Sequence, residues 1–167
     1  IRSSMEVVEL GRSAGGLPVF IDAEAHAADG IVVLNRIKPH VSFRGPYESG
    51  LVKMITIGLG KQRGADICHD LGFGRMAENI IAMARITLEK AKILFAVGLL
   101  ENAYHETCRI EVLRPDEIEE KEPAERAAAE QDQEPGVEHL GKVWEKLSED
   151  PIVSLCERFC LSWSRPA

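Results

Sequence analysis

The sequence predicts an α/β fold with a short, largely parallel sheet and flanking helices, followed by an acidic helical tail. Two apolar runs, residues 30–36 and 93–99, have the length and composition of strands that are covered on both faces. Between them, residues 75–92 repeat apolar side chains at the helical period. Strand, helix and strand in this order predict a βαβ unit with a right-handed crossover.

The remaining elements follow from local signals along the chain. They are a strand at 17–22 after the Gly15-Gly16 turn, helical turns at 23–29 and 64–71, and a final strand at 107–113. Pro39 ends the strand at 30–36, because proline has no N–H to give to a sheet. His40 is therefore expected just beyond the carboxyl end of a buried strand, where open α/β sheets bind ligands. A further apolar stretch, 51–59, carries Lys53 near its start.

Composition and charge exclude several classes of protein. The 167 residues are 45% hydrophobic, which fits a globular core. The net charge is -7, and residues 116–150 alone hold thirteen acidic side chains against four basic ones, a net charge of -9. We divide the chain into an α/β domain (1–124) and an acidic helical tail (125–167). There is no clustered basic face for nucleic acid, no apolar run long enough to cross a membrane and no leader pattern. We expect a cytoplasmic protein with reduced cysteines and no nucleic-acid or membrane partner.

Polar side chains of catalytic type interrupt the apolar frame between residues 35 and 69. His40 and His69 offer acid/base groups or metal ligands, and Lys53 offers an amine that desolvation makes nucleophilic. In the loop between His40 and Lys53, Arg44 is suited to grip a carboxylate with two hydrogen bonds, and Tyr47 is a second candidate for substrate contact. Taken singly, these are also ordinary loop residues, and the residues alone leave both interpretations open.

The run "VVLNRIKPHVSFRGPYESGLVKMITIGLGKQRGADICH", followed by "ILFAVGLLENA", resembles the nickel-dependent lactate racemase family. In that family a histidine follows a strand and a proline, a serine-glycine turn leads to a lysine, and a second histidine lies sixteen residues further on. These positions correspond to His40, to Lys53 after Ser49-Gly50, and to His69. The resemblance covers residues 3–124.

The resemblance implies a racemase or epimerase of a small 2-hydroxy acid that uses a nickel-pincer nucleotide (nickel pyridinium bis-thiocarboxylate mononucleotide). Lys53 would hold this cofactor through a thioamide, His69 would bind its nickel, and His40 would be one of two histidines that act as acid and base. The family reaction removes the hydroxyl proton while hydride leaves the α-carbon, giving a 2-keto acid, and hydride return to the other face inverts the centre. Cofactor-synthesis proteins are the implied protein partners.

The sequence departs from the family in three places, which keeps alternatives open. The segment between His40 and Lys53 is slightly longer than in the best-known lactate racemases, which leaves the identity of the substrate open. Nothing in residues 1–39 matches the motif of the second catalytic histidine, and the chain from Glu125 onward does not match the family's closing domain. The alternative is a truncated, non-catalytic fragment or a subunit that depends on a partner, and the non-methionine start at Ile1 fits a fragment. A third hypothesis, a metal hydrolase, would use Asp66 or Asp70 beside the metal.

Other candidates have simpler interpretations. Lys61 and Arg63 either contact a cofactor phosphate at the start of a helix or lie in a solvated loop. Cys68 beside His69 is a poor zinc pair, since adjacent residues seldom chelate one ion. His105 follows a predicted strand end and is most simply an exposed residue.

Overall fold

The computed structural model describes residues 2–39, 45–70, 72–102 and 106–131. The strands are β1 (Val7–Arg12), β2 (Pro18–Asp22), β3 (Ile31–Ile37), β4 (Ile93–Glu101) and β5 (Thr107–Leu113). The α-helices are α1 (Ala23–Ala27), α2 (Leu51–Lys53), α3 (Lys61–Asp70), α4 (Met76–Lys90) and α5 (Ile118–Gln131). A π-helix (Met54–Gly58) continues α2, and a 3₁₀ turn (Phe73–Arg75) precedes α4.

The structure is mixed α and β as predicted, but the described three-stranded sheet is mixed rather than largely parallel. β3 and β4 pair in parallel across the α4 crossover, as a βαβ unit requires, but β5 runs antiparallel to β4. Only residues 102–106 join β4 to β5, which is too short for a parallel crossover. β1 and β2 form a separate antiparallel hairpin.

The core lies on one face of the three-stranded sheet. α2 and α5 contact this sheet directly, while α4 packs on α2, on the π-helix and on the hairpin. Inward residues from strands and helices meet there with no exposed surface or almost none: Ile37, Leu51, Ile55, Ile80, Met83 and Leu100. The helical segment 51–58 is therefore held between the sheet and α4.

The expectation that residues 30–36 are covered on both faces is wrong for the described part of the chain. Burial along β3 alternates, and Val32 and Leu34 are 46% and 59% exposed, whereas Val33 is buried. Leu94 on β4 is exposed as well. The reason is that the described helices that touch the sheet occupy the face that carries Val33 and Ile37.

The predicted domain boundary at 124/125 falls inside α5, which packs on the sheet as far as the buried Ala129. The rest of the predicted acidic tail, from residue 132, lies outside the described residues. Among the described helices, none is both long and apolar enough to cross a bilayer.

Candidate functional site

Lys53 is the last residue of α2 and the π-helix begins directly after it. Its side chain is half-buried, and desolvation lowers the pKa of its amine below the usual 10.5. Among the described residues, no carboxylate forms an ion pair with Lys53 that would stabilise the protonated amine. Desolvation of this kind favours the neutral form of a lysine amine, which is the nucleophilic one.

The start of the lysine-bearing helix is attached to the carboxyl end of β3. The backbone N–H of Lys38 donates to the carbonyl oxygen of Ser49 at 2.9 Å, and the side-chain amide of Asn35 donates to the carbonyl oxygen of Gly50, also at 2.9 Å. These bonds bring Lys53 to the strand end at which the sequence placed His40. The sequence placed Lys53 only near the start of an apolar stretch, and its role in a site stays a prediction.

Glu122 of α5 holds the same helix from the other side. Its carboxylate accepts a hydrogen bond of 2.8 Å from the N–H of Val52, the residue before Lys53. Glu122 is 2% exposed, and burial raises its pKa to about 7, against the opposing effect of bonds from the N–H groups of Val52 and Leu51. The approach is so close that a Cβ on Gly50 would lie 2.7 Å from Cδ of Glu122. Glycine at position 50 is thus required by the contact with α5.

A second contact from α5 holds residues 45–48, which precede α2. The guanidinium of Arg126 lies 3.2 Å from a carboxylate oxygen of the buried Glu48 and also donates to the carbonyl oxygen of Gly45 at 3.2 Å. Glu48 in turn accepts from the N–H of Gly45 at 3.0 Å. Residues 45–52, which lead to Lys53, are consequently held by α5 at two points.

Tyr47 supplies a hydrogen-bond donor that is missing in α5 because of a proline. Pro123 has no N–H, so the carbonyl oxygen of Glu119, four residues earlier, loses its helical donor. The hydroxyl of Tyr47 donates to that oxygen at 2.8 Å. Burial is the main cause of the raised pKa of Tyr47. This bond gives Tyr47 a structural role, and its contact with substrate stays a prediction.

His69 lies in the last turn of α3 with an exposed side chain. The preceding Cys68 faces the opposite way: it is fully buried, its sulfur lies 3.7 Å from that of Met83, and burial raises its pKa to about 11. The two residues therefore do not share a metal site. Asp66 and Asp70 are exposed, and no cluster of three or more metal-ligand side chains occurs among the described residues.

Lys53 and His69 belong to consecutive helical segments that cross closely. A Cβ on Gly64 of α3 would lie 3.0 Å from the carbonyl oxygen of Thr56, so only a glycine allows this approach without displacement. The hydroxyl of Thr56 also donates to the carbonyl oxygen of Ile80 on α4 at 2.9 Å. These contacts fix the π-helix that follows Lys53 against α3 and α4, and the shared site of Lys53 and His69 stays a prediction.

The basic residues at the start of α3 have partners within the protein. The amine of Lys61 lies 2.8 Å from a carboxylate oxygen of Asp22, and the guanidinium of Arg63 lies 4.7 Å from the ring centre of Phe20. Both residues lie in α3 rather than in a loop and hold the hairpin against this helix, and a contact with a cofactor phosphate stays a prediction.

Three predicted residues, His40, Arg44 and His105, lie outside the described residues. Sequence reasoning missed two others, Glu122 and Arg126, because they belong to a run of charged residues that resembles a solvated helix face. Their spacing of four places them on one face of α5 and is the one signal that could have paired them.

No family model matches the chain, and no curated protein matches it.

Proposed function

We propose that the protein is a racemase or epimerase of a small 2-hydroxy acid, with a nickel-pincer nucleotide attached to Lys53. His69 would bind the nickel, His40 would exchange the hydroxyl proton, and Arg44 would hold the carboxylate. The observation that carries the proposal is the half-buried amine of Lys53, whose pKa is lowered and which has no ion-pair partner among the described residues. The sequence resemblance supplies the cofactor and the reaction class.

The environment of Lys53 suits a covalent amide-type link. Desolvation penalises the charged ammonium but not a neutral thioamide, so attachment would remove the cost of keeping a charge half-buried. A π-helix follows Lys53, and such turns occur frequently at functional sites. The contacts from β3 and α5 would keep the attachment point in a fixed position, as catalysis by orientation requires.

The exposed imidazole of His69 suits a metal that arrives as part of a cofactor. Imidazole nitrogen is a good ligand for nickel, and a single protein ligand is sufficient when the cofactor supplies the others. When bound, the cofactor supplies the centre that accepts hydride. Among the chain's own residues, Lys53 and His69 would hold the cofactor, Arg44 would orient the substrate, and His40 would act as the acid or base for the hydroxyl proton on one face of the substrate.

The first test is to co-express the chain with the proteins that make the cofactor, and to measure intact mass and bound nickel. We expect a covalent mass increase and bound nickel in the unchanged protein, loss of both in Lys53→Ala, and loss of nickel alone in His69→Ala. Lys92→Ala is the matched control, because that exposed lysine precedes the amino end of β4, whereas the helix of Lys53 is attached to the carboxyl end of the parallel strand β3, and the change should alter neither quantity. Unmodified, nickel-free protein in cells that load a known racemase would contradict the proposal.

Turnover distinguishes an enzyme from a cofactor-binding fragment. The loaded protein is incubated with single enantiomers of 2-hydroxy acids that carry deuterium on the α-carbon. Inversion with retention of the deuterium supports internal hydride transfer, whereas a racemase that abstracts the α-proton would lose the label to water. A loaded protein without turnover would instead favour the partner-dependent alternative.

A further inference from the structure

We propose that Glu122 is a positioning residue for Lys53: its carboxylate fixes the amino end of the lysine-bearing helix and thereby keeps the lysine amine half-buried and reactive. This inference rests on the proposed role of Lys53 and adds a residue that is distant in sequence. Glu122 lies in α5, 70 residues after the N–H that it accepts.

Glu122 satisfies backbone groups that have no other means of bonding. The first N–H groups of a helix have no partner within it, and those of α2 belong to Leu51 and Val52, which are both completely buried. The preceding residue, Gly50, has no side chain that could cap the helix. The carboxylate that arrives from α5 replaces this missing cap, and water cannot take its place because the site is closed.

The contact is specific within α5. The helix carries five acidic residues, but only Glu122 is buried, whereas Glu120 and Glu130 are exposed. The charged or titratable groups around Glu122 are Arg126 on its own helix and Tyr47 from the facing loop. A carboxylate is retained in this apolar setting although burial disfavours its charge, and the groups it serves are the two residues directly before Lys53.

The position of Lys53 follows directly from this bond. α2 contains only three residues, so its amino end and Lys53 lie within one turn. If the bond from Val52 is lost, the first turn has an unsatisfied buried N–H and must unwind or move toward solvent. Lys53 would then be hydrated, and its amine would regain the proton affinity of an ordinary lysine.

The experiment measures the reactivity of Lys53 in the full chain without cofactor. The protein is acetylated briefly with an activated acetate ester over a series of pH values, and modification of Lys53 is quantified by peptide mass spectrometry. We compare the unchanged protein with Glu122→Ala, with Glu122→Gln and with Val33→Ala. The last variant removes buried volume from β3 and controls for general loss of stability.

We expect Glu122→Ala to move the midpoint of the pH profile of Lys53 upward, and Glu122→Gln, which keeps one acceptor oxygen, to move it less in the same direction. Val33→Ala should lower the midpoint temperature of unfolding and leave the pH profile of Lys53 acetylation unchanged. An unchanged profile in folded Glu122→Ala overturns the inference, as does an equal shift in Val33→Ala. If the alanine variant does not fold, the glutamine variant decides in the same way.

The two proposals fail separately. Acetylation requires no cofactor, so a profile that depends on Glu122 in a protein that never acquires nickel would support the positioning role and contradict the proposed function. Conversely, normal loading of the cofactor in a Glu122→Ala variant with an unchanged profile would contradict the positioning role alone.

Discussion

Replacing Tyr47 by phenylalanine removes the hydroxyl that donates to the carbonyl oxygen of Glu119, and this loss should depend on Pro123. The bond is 2.8 Å long and partly buried, and in the unchanged chain the proline leaves that oxygen without its helical donor. A neutral hydrogen bond contributes about 0.5–1.5 kcal/mol, and an acceptor left unsatisfied in a buried site costs about 1–3 kcal/mol. We therefore expect Tyr47→Phe to lower the free energy of unfolding by about 1–2 kcal/mol.

Pro123→Ala tests whether this cost has the cause that we assign. Alanine restores an N–H that reaches the carbonyl oxygen of Glu119, so the hydroxyl of Tyr47 becomes partly redundant. In that background Tyr47→Phe should cost about 0.5 kcal/mol or less, which gives a coupling energy of about 1 kcal/mol. The assay is urea denaturation followed by circular dichroism for the four proteins of the double-mutant cycle. An equal cost of Tyr47→Phe in both backgrounds would refute the reasoning.

Three further predictions use the same denaturation assay. Burial raises the pKa of Glu122 from its ordinary 4.5 to about 7, so the folded protein binds this proton more tightly than the unfolded chain does. Through this group the free energy of unfolding should fall by about 3 kcal/mol as the pH rises from 4.5 to 7. Glu122→Gln should abolish that part of the pH dependence. Gly50→Ala should cost about 1–3 kcal/mol because its Cβ meets the buried Glu122, whereas Gly74→Ala, with open space around it, should cost little; equal effects would contradict this. Leu34→Thr on the exposed face should change stability by no more than about 0.5 kcal/mol, against a loss of about 1–3 kcal/mol for the buried Val33→Ala.

Local pattern predicted the elements well where one signal dominated. The helical period between two apolar runs gave α4 and the parallel pair β3 and β4, and the alternation at 107–113 gave β5. Periodicity did not separate helix from strand in the shorter apolar stretch at 51–59, which forms α2 and the π-helix. An apolar run also does not reveal which of its faces is covered, and β3 proved to be covered on one face only among the described elements.

The candidate site was also predictable from the sequence only in part. The strand end before Pro39 was predictable because strand ends are local properties, and β3 ends at Ile37 as the sequence indicated. The contribution of α5 was not predictable. Glu122 and Arg126 are two members of a charged run, and only packing on the sheet turns them toward the loop that precedes Lys53.

By itself, the sequence determined the α/β class, the order of the main elements and the residue types near the carboxyl end of β3, since these depend on period, turns and side-chain chemistry. The tertiary structure alone decided the direction of β5, the buried state of Glu122 and the desolvation of Lys53. The physical reason is that a pKa and a hydrogen bond between residues 70 positions apart depend on which groups folding brings together and on how much water it removes.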